Sequence, residues 1–443
     1  MANNFFYKAP NYSKGQTVIK GKGSYIYFKN KKKGYLDLTS GRSTLMCLGY
    51  SNKLIINEIK KQLLKYPHID CNVFNSELAE IVSNELIKFK PRGLNKVYFS
   101  GSSGSDAVEA AMKLSHQVHI AEKNNNKNLF ISRENSYHGG TLGAISVSNF
   151  HKHKSYKNIL PKNTILIPEY NYFEKCFSKK NKKCNCGKKH SYETISEYTL
   201  RSVKFLENTI IKHDKKKISA FIGSTQLSVG QGHSQPAKNY WKLISSVCKK
   251  NNIHLILDEI YCGCGRSGDY FNFNDYKASP DFVCIGKNFT AGYAPLSAVI
   301  TKNKFQKLIK NNQGEFFHAH TFQGYALGLA AAYGTIKYIK QNNILNKIKK
   351  DSKYILKRIN KILSGNKNFI TIRGKGLHLS IEYNFNNKDK FINYFTKEML
   401  NMNIIINCMS KFINLSPTYI LSKKEIDYFI KSITETFLRY KDN

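Results

Sequence analysis

Short apolar runs recur between residues 95 and 301, each followed by a stretch whose apolar positions are spaced for a helix. Val97-Tyr98-Phe99, Leu129-Phe130-Ile131, Ala220-Phe221-Ile222, His254-Leu255-Ile256-Leu257 and Phe282-Val283-Cys284-Ile285 read as strands. These runs do not alternate with polar residues, so both faces are expected to be buried, as in a parallel sheet covered by helices. The pattern predicts an α/β fold with a mainly parallel sheet flanked by helices. In such a sheet, binding residues sit just past the carboxyl ends of the strands. Upstream, Ser24-Tyr25-Ile26-Tyr27-Phe28 predicts strands and turns, and Leu54, Ile55, Ile59 and Leu63 predict a helix over 53–65. Downstream, a long helical stretch over 322–341 precedes a smaller α+β part from about Asn342.

Composition narrows the class. The 443 residues are 41% hydrophobic and 23% charged, an ordinary globular balance. Lys+Arg number 70 against 30 Asp+Glu, giving a net charge of +40. A nucleic-acid binder concentrates such charge in a stripe or tail, whereas here lysine is scattered through every segment. The charge reads as a solvated lysine-rich surface, and no nucleic-acid partner is expected. No apolar run approaches the roughly 20 residues of a membrane span. Met1-Ala2-Asn3-Asn4-Phe5 lacks the layout of a secretory signal. A cytoplasmic protein without a membrane partner is expected. The ten cysteines form no disulfide framework. Cys176, Cys184, Cys186 and His190 cluster around a Lys/Asn-rich stretch, but Cys-x-Cys is not the usual Cys-x-x-Cys knuckle and no second pair follows. That segment reads as an exposed insertion, with no metal expected.

Candidate chemistry lies at the strand ends. Leu255-Ile256-Leu257 runs directly into Asp258-Glu259, and Cys284-Ile285-Gly286 into Lys287. A carboxylate and a lysine on neighbouring strand ends can face one ligand. A pyridoxal 5′-phosphate site needs that pair: the lysine forms a Schiff base, and the acid keeps the pyridine nitrogen protonated. Either residue alone reads equally well as a helix cap or a surface lysine. Ser100-Gly101-Ser102-Ser103-Gly104-Ser105-Asp106 links a strand to a helix expected over 107–117 and offers backbone N–H groups at a helix N-terminus, a phosphate cradle. It lacks the G-x-x-x-x-G-K-[ST] pattern of a Walker loop. Tyr137, in Ser136-Tyr137-His138-Gly139-Gly140-Thr141, can stack on a flat ring, and Thr321, in His318-Ala319-His320-Thr321-Phe322, can bind a phosphate or cap a helix.

Together these motifs resemble the class III aminotransferases of PLP fold type I. The family's S-G-[ST]-[ED]-A-x-E-x-A-x-K pattern is matched by Ser103 to Lys113, Y-H-G-x-T by Tyr137 to Thr141, and D-E-[VI]-x-x-G-x-G-R-[ST]-G by Asp258 to Gly268. P-D-x-x-x-x-x-K is matched by Pro280 to Lys287, and H-x-x-T-F-x-G by His318 to Gly324. The resemblance runs from about Gly21 to the C-terminus. It implies a large PLP-binding domain over 66–330 and a small domain built from both chain ends, 1–65 and 331–443. It also implies an enzyme that moves an amino group from an amine or amino acid to a 2-oxo acid. Racemases, aminomutases and a decarboxylase of the same fold are the alternative.

Residue by residue, the resemblance makes Lys287 the Schiff-base lysine and proton carrier, and pairs Asp258 with the pyridine nitrogen. It places Gly104 and Ser105 on the phosphate, Tyr137 on one ring face and Ile260 on the other, and counts His138 and Tyr261 among the cofactor-binding residues. Thr321 then binds the phosphate of the neighbouring subunit's cofactor, which implies a homodimer with sites at the interface. The chain departs from the family where substrate is met. Tyr261 stands where glutamine contacts the ring hydroxyl, Ser224 where many members have glutamate, and Asn414 where many have an arginine for the α-carboxylate. Arg42 is the candidate carboxylate partner in its stead, with a surface salt bridge equally open.

Overall fold

The protein is described from a computed structural model, which covers residues 16–149, 155–176 and 188–441. Cys184 and Cys186 lie outside the described residues, as does the side chain of Cys176.

The middle of the chain forms a seven-stranded sheet: β1 (Lys96–Gly101), β2 (Leu129–Arg133), β3 (Thr164–Ile167), β4 (Ile218–Ser224), β5 (His254–Asp258), β6 (Phe282–Ile285) and β7 (Ser297–Thr301). Their spatial order is β1-β7-β6-β5-β4-β2-β3. All run parallel except β7, which is antiparallel to both β6 and β1. β4, β5 and β6 are buried almost throughout, as unbroken apolar runs require. The register fixes the site: Asp258 lies level with Ser224 on one side and Cys284 on the other. Three residues after Cys284 the chain reaches Lys287, beyond the same edge.

The two ends of the chain combine. Val18–Lys22, Tyr25–Phe28 and Tyr35–Asp37 make a small sheet whose fourth strand is Ile404–Ile405, from near the C-terminus. A second sheet joins Phe369–Lys375, His378–Tyr383, Phe412–Leu415 and Asn407–Met409. The helix Lys53–Lys65 packs along Ala326–Gln341, close enough that a Cβ on Gly334 would come 3.0 Å from the Ile55 Cα. The expected boundary between residues 330 and 331 falls inside that second helix. Both ends are pinned to the sheet by the fully buried Arg266. Its guanidinium donates to the Pro417 and Leu377 carbonyls and to Ser40 Oγ, while its ring-stacked face meets Tyr419 at 4.6 Å. Among the described residues no helix is long and apolar enough to cross a membrane.

Candidate active site

A cavity of about 990 Å³ opens at the carboxyl edge of the central sheet. Asp258, the last residue of β5, sits in its wall and is only 5% exposed. Its Oδ2 accepts a hydrogen bond from His138 Nδ1 at 2.7 Å, and its Oδ1 accepts from the Ile260 N–H at 3.0 Å. These two donors fix the orientation of the carboxylate in the cavity wall. The turn after it is held by Glu259, which is buried and accepts from Thr225 Oγ at 2.8 Å, Asn272 N at 2.8 Å and Phe273 N at 2.6 Å. Burial raises the Glu259 carboxyl to about 7 despite those donors.

Lys287 reaches the same cavity from the end of β6. Its φ of +45° is in the left-handed region, where a side chain costs energy and which clusters at functional sites. Burial pushes its pKa down, while Asp258 and, more weakly, Cys262 pull it back up. Its Nζ lies 4.8 Å from the centre of the Tyr261 ring.

The third wall is the N-terminus of the helix Gly104–Ala121, which begins three residues earlier than the apolar pattern predicts. Ser103 caps it in a reciprocal box with Asp106, whose Oδ2 also takes the Ser102 and Ser103 N–H groups at 2.9 Å. Gly104 and Ser105 follow in the first turn, where amides have no intrahelical acceptor. Here glycine is required by space: a Cβ on Gly104 would sit 2.7 Å from Ile260 Cγ2. Ser105 Oγ accepts from the Gly140 N–H at 2.9 Å, which ties the cradle to the Tyr137–Gly140 loop. Tyr137, His138 and Ile260 all line the cavity. Tyr137 is 53% exposed, so its ring is open to a ligand, whereas His138 is buried behind it with Nε2 unpartnered among the described residues.

Not every expected residue converges. Tyr261 lines the cavity, but its hydroxyl is bonded to His233 Nε2 at 2.9 Å. Arg42 is not brought to the cavity: its Nη1 donates to the Ile406 carbonyl at 3.0 Å and it lines a separate groove with Tyr35 and Ile392. Asn414 is buried in the strand Phe412–Leu415, where its Oδ1 accepts from Ser380 Oγ at 2.6 Å. Neither is placed to meet a substrate carboxylate in this cavity. Thr321 is exposed and outside it. His190 Nδ1 bonds to Tyr192, and among the described residues no group of three metal-binding side chains occurs.

Several lining residues carry no sequence signal. Leu45, Gln226, Val229, Thr290, Tyr293, Asn407 and Met409 all reach the cavity. Asn407 and Met409 come from the C-terminal sheet more than a hundred residues away, and neither lies in a recognisable motif. Ser224 lines it too, where many class members have glutamate.

The donor set suits a flat phosphorylated pyridine. Asp258 would hold a ring nitrogen, Lys287 an aldehyde group, and the Gly104–Ser105 helix start a phosphate. Comparison with known proteins agrees. The model of the class III aminotransferases matches residues 7–437. Adenosylmethionine-8-amino-7-oxononanoate aminotransferase of Staphylococcus aureus is 30% identical over 441 residues, covering 95% of this chain and 92% of its own. Gamma aminobutyrate transaminase 2 of Solanum lycopersicum is 31% identical over 458 residues, covering 97% and 93%. Among solved structures, an amine transaminase from an uncultivated Pseudomonas species superposes with a TM-score of 0.88 at 23% identity, covering 99% of both chains. The fold is therefore that of the fold type I transaminases, and the chain belongs to the class III aminotransferases, enzymes of amino transfer that use pyridoxal phosphate.

Proposed function

We propose that the chain moves an amino group from an amine or amino acid to a 2-oxo acid, with Lys287 and Asp258 as its catalytic residues. One observation carries this: Asp258 and Lys287 leave adjacent parallel strands, in register, into a single cavity whose third wall is the Gly104–Ser105 helix start. Pyridoxal phosphate, when bound, supplies an electron sink for the bonds at the substrate's amine-bearing carbon. Asp258, steadied by His138 and the Ile260 N–H, would pair with the ring nitrogen. Gly104 and Ser105 bind the phosphate through first-turn N–H groups. Tyr137 and Ile260, both in the cavity lining, would pack on the ring. Lys287 Nζ takes the proton from the amine-bearing carbon and returns it. Burial keeps a larger neutral fraction of that nitrogen at neutral pH than an exposed lysine has.

The active enzyme is a homodimer in this proposal, with Thr321 reaching the partner's cofactor phosphate. Support comes from an apolar patch beside Thr321. Val73 is 72%, Phe74 60%, Phe317 60% and Phe322 51% exposed. Their loops are joined by the His68–Phe322 ring contact at 5.6 Å and by Cys71 Sγ on the Gly324 carbonyl at 3.6 Å. A second copy covering this patch removes it from water. We place the enzyme in the cytoplasm, where its seven described cysteines, all free, remain reduced.

The test is a half-reaction. Purified holoenzyme, mixed with a panel of amines and amino acids without acceptor, is expected to release about one carbonyl product per site, with loss of the cofactor's visible absorbance. Racemised or decarboxylated product without stoichiometric carbonyl compound would refute amino transfer.

A further inference from the structure

His233 lies fully buried behind Tyr261, and its hydrogen bonds determine which way that phenol points. Its Nδ1 is 3.0 Å from the Leu379 carbonyl oxygen, which only accepts, so Nδ1 carries the proton. Ser380 Oγ, 2.8 Å from the same nitrogen, gives its own hydrogen to Asn414 Oδ1 and therefore also accepts. Burial drives the His233 pKa down to about 3, so the ring is neutral and Nε2 is bare. Tyr261 Oη, 2.9 Å from Nε2, is left as the donor. The phenol's hydrogen is thus committed to the protein, and burial raises its pKa to about 12, so it stays protonated. What Tyr261 presents to Lys287 is its ring, with Nζ 4.8 Å from the centroid. His378 packs against the same cluster, 4.1 Å from Tyr261 and 4.8 Å from His233, which limits any swing of the phenol.

We propose that His233 is a positioning residue: through Tyr261 it holds an aromatic face against Lys287 Nζ and so favours the protonated state of that nitrogen. An aromatic face attracts a cation within about 6 Å of its centre. The other groups facing Lys287 are Asp258 at the end of β5, Cys262 in the following loop and His378 from the strand His378–Tyr383. His233 itself faces Arg266 and Arg373, both of which oppose its protonation. Asn414 takes its place here as the far end of the chain Asn414–Ser380–His233–Tyr261, which is what this sequence builds where others carry a substrate arginine.

The inference rests on Lys287 carrying the cofactor, and the test separates the two. Holoenzymes of the wild type, His233→Phe, Tyr261→Leu and the double variant are titrated with pH while the cofactor absorbance is recorded. Thermal melts and cofactor content confirm that each is folded and loaded. Loss of the aromatic face in Tyr261→Leu is expected to lower the titration midpoint by about 0.5–1 pH unit, and loss of its anchor in His233→Phe to lower it by less. The double variant is expected to match Tyr261→Leu, because His233 acts only through Tyr261. A wild-type midpoint in His233→Phe, or a double variant whose shift is the sum of the two, overturns the proposal. If His233→Phe does not fold, Tyr261→Phe keeps the ring and loses the hydroxyl's bonds to His233, Thr44 and Ser416. A midpoint between wild type and Tyr261→Leu supports the proposal, and a wild-type midpoint overturns it. A Lys287→Ala enzyme that keeps the titrating band refutes the role of Lys287 and not this inference.

Discussion

At the scale of single residues, Gly104, Ser105, Tyr137, His138, Asp258, Ile260, Tyr261 and Lys287 line one cavity because each sits at or just beyond the end of a strand or helix at its edge. Asp258 and Lys287 follow apolar strands directly, so their positions come from counting along the chain. Gly104 is a sharper case, since the sequence marked it as part of a cradle and the structure shows why no other residue fits. Gly104→Ala places a methyl 2.7 Å from Ile260 Cγ2, against a side chain that itself lines the cofactor cavity. Overpacking of this kind costs about 1–3 kcal/mol, so cofactor affinity is expected to fall roughly tenfold or more. Equilibrium titration of apoenzyme with pyridoxal phosphate checks this, and an unchanged Kd would show that the cradle tolerates a side chain. Arg42, by contrast, was a candidate because it follows Gly41 in a segment that lines the pocket of the family the chain resembles. Its guanidinium serves the Ile406 carbonyl in a different groove.

At the scale of elements, apolar runs located five strands of the central sheet, and β6 begins and ends where its run does. β7 was missed as an antiparallel strand, since its buried Ser-Ala-Val-Ile-Thr carries nothing that records direction. Helix starts moved for the opposite reasons. The Gly104 helix begins early because capping by Ser103 recruits glycine and serine into its first turn, and the later one begins at Ala326 because 321–324 form a turn. The His233–Tyr261 pair was illegible, joined by packing of a loop against the C-terminal sheet with no periodic signal.

Packing between elements also buries histidines. His119 on the Gly104–Ala121 helix stacks on His254 of β5 at 4.0 Å, and burial lowers both to about 3. His233 is lowered to about 3 and His318 to about 4, and His378 is pushed well below its ordinary value, again by burial. In the unfolded chain these groups titrate near 6.5, so between about pH 6.5 and 4 the unfolded state binds protons that the native state does not. Their stability contribution is complete above about 6.5 and is lost as pH falls. Glu259, raised to about 7, opposes this, since the native state keeps a proton there that the unfolded state loses above about 4.5. Five histidines outweigh one carboxyl, so the Tm is expected to drop on acidification from pH 7 to 5. A Tm that holds or rises over that range would contradict neutral burial of these rings.

At the scale of the whole molecule, both chain ends are needed on one side of the site. Asn407 and Met409 reach the cavity from the C-terminal sheet, and Arg266 clamps that end to the strand-end loop. The proposed dimer would add Thr321 to the neighbouring site. If each site takes Lys287 from one subunit and Thr321 from the other, then mixing inactive Lys287→Ala and Thr321→Asp subunits restores one intact site in each heterodimer. Random exchange is expected to return about a quarter of wild-type activity. No recovery in subunits shown to exchange would place Thr321 outside the neighbour's site.

The most direct test of the account is the absorbance spectrum of purified Lys287→Ala, recorded with pyridoxal phosphate before and after addition of an amino donor. The folded variant is expected to lack the wild-type visible band and to release no carbonyl product over many turnovers' time. A Lys287→Ala enzyme with the wild-type band and sustained turnover would contradict the central claim that this lysine carries the cofactor and the proton.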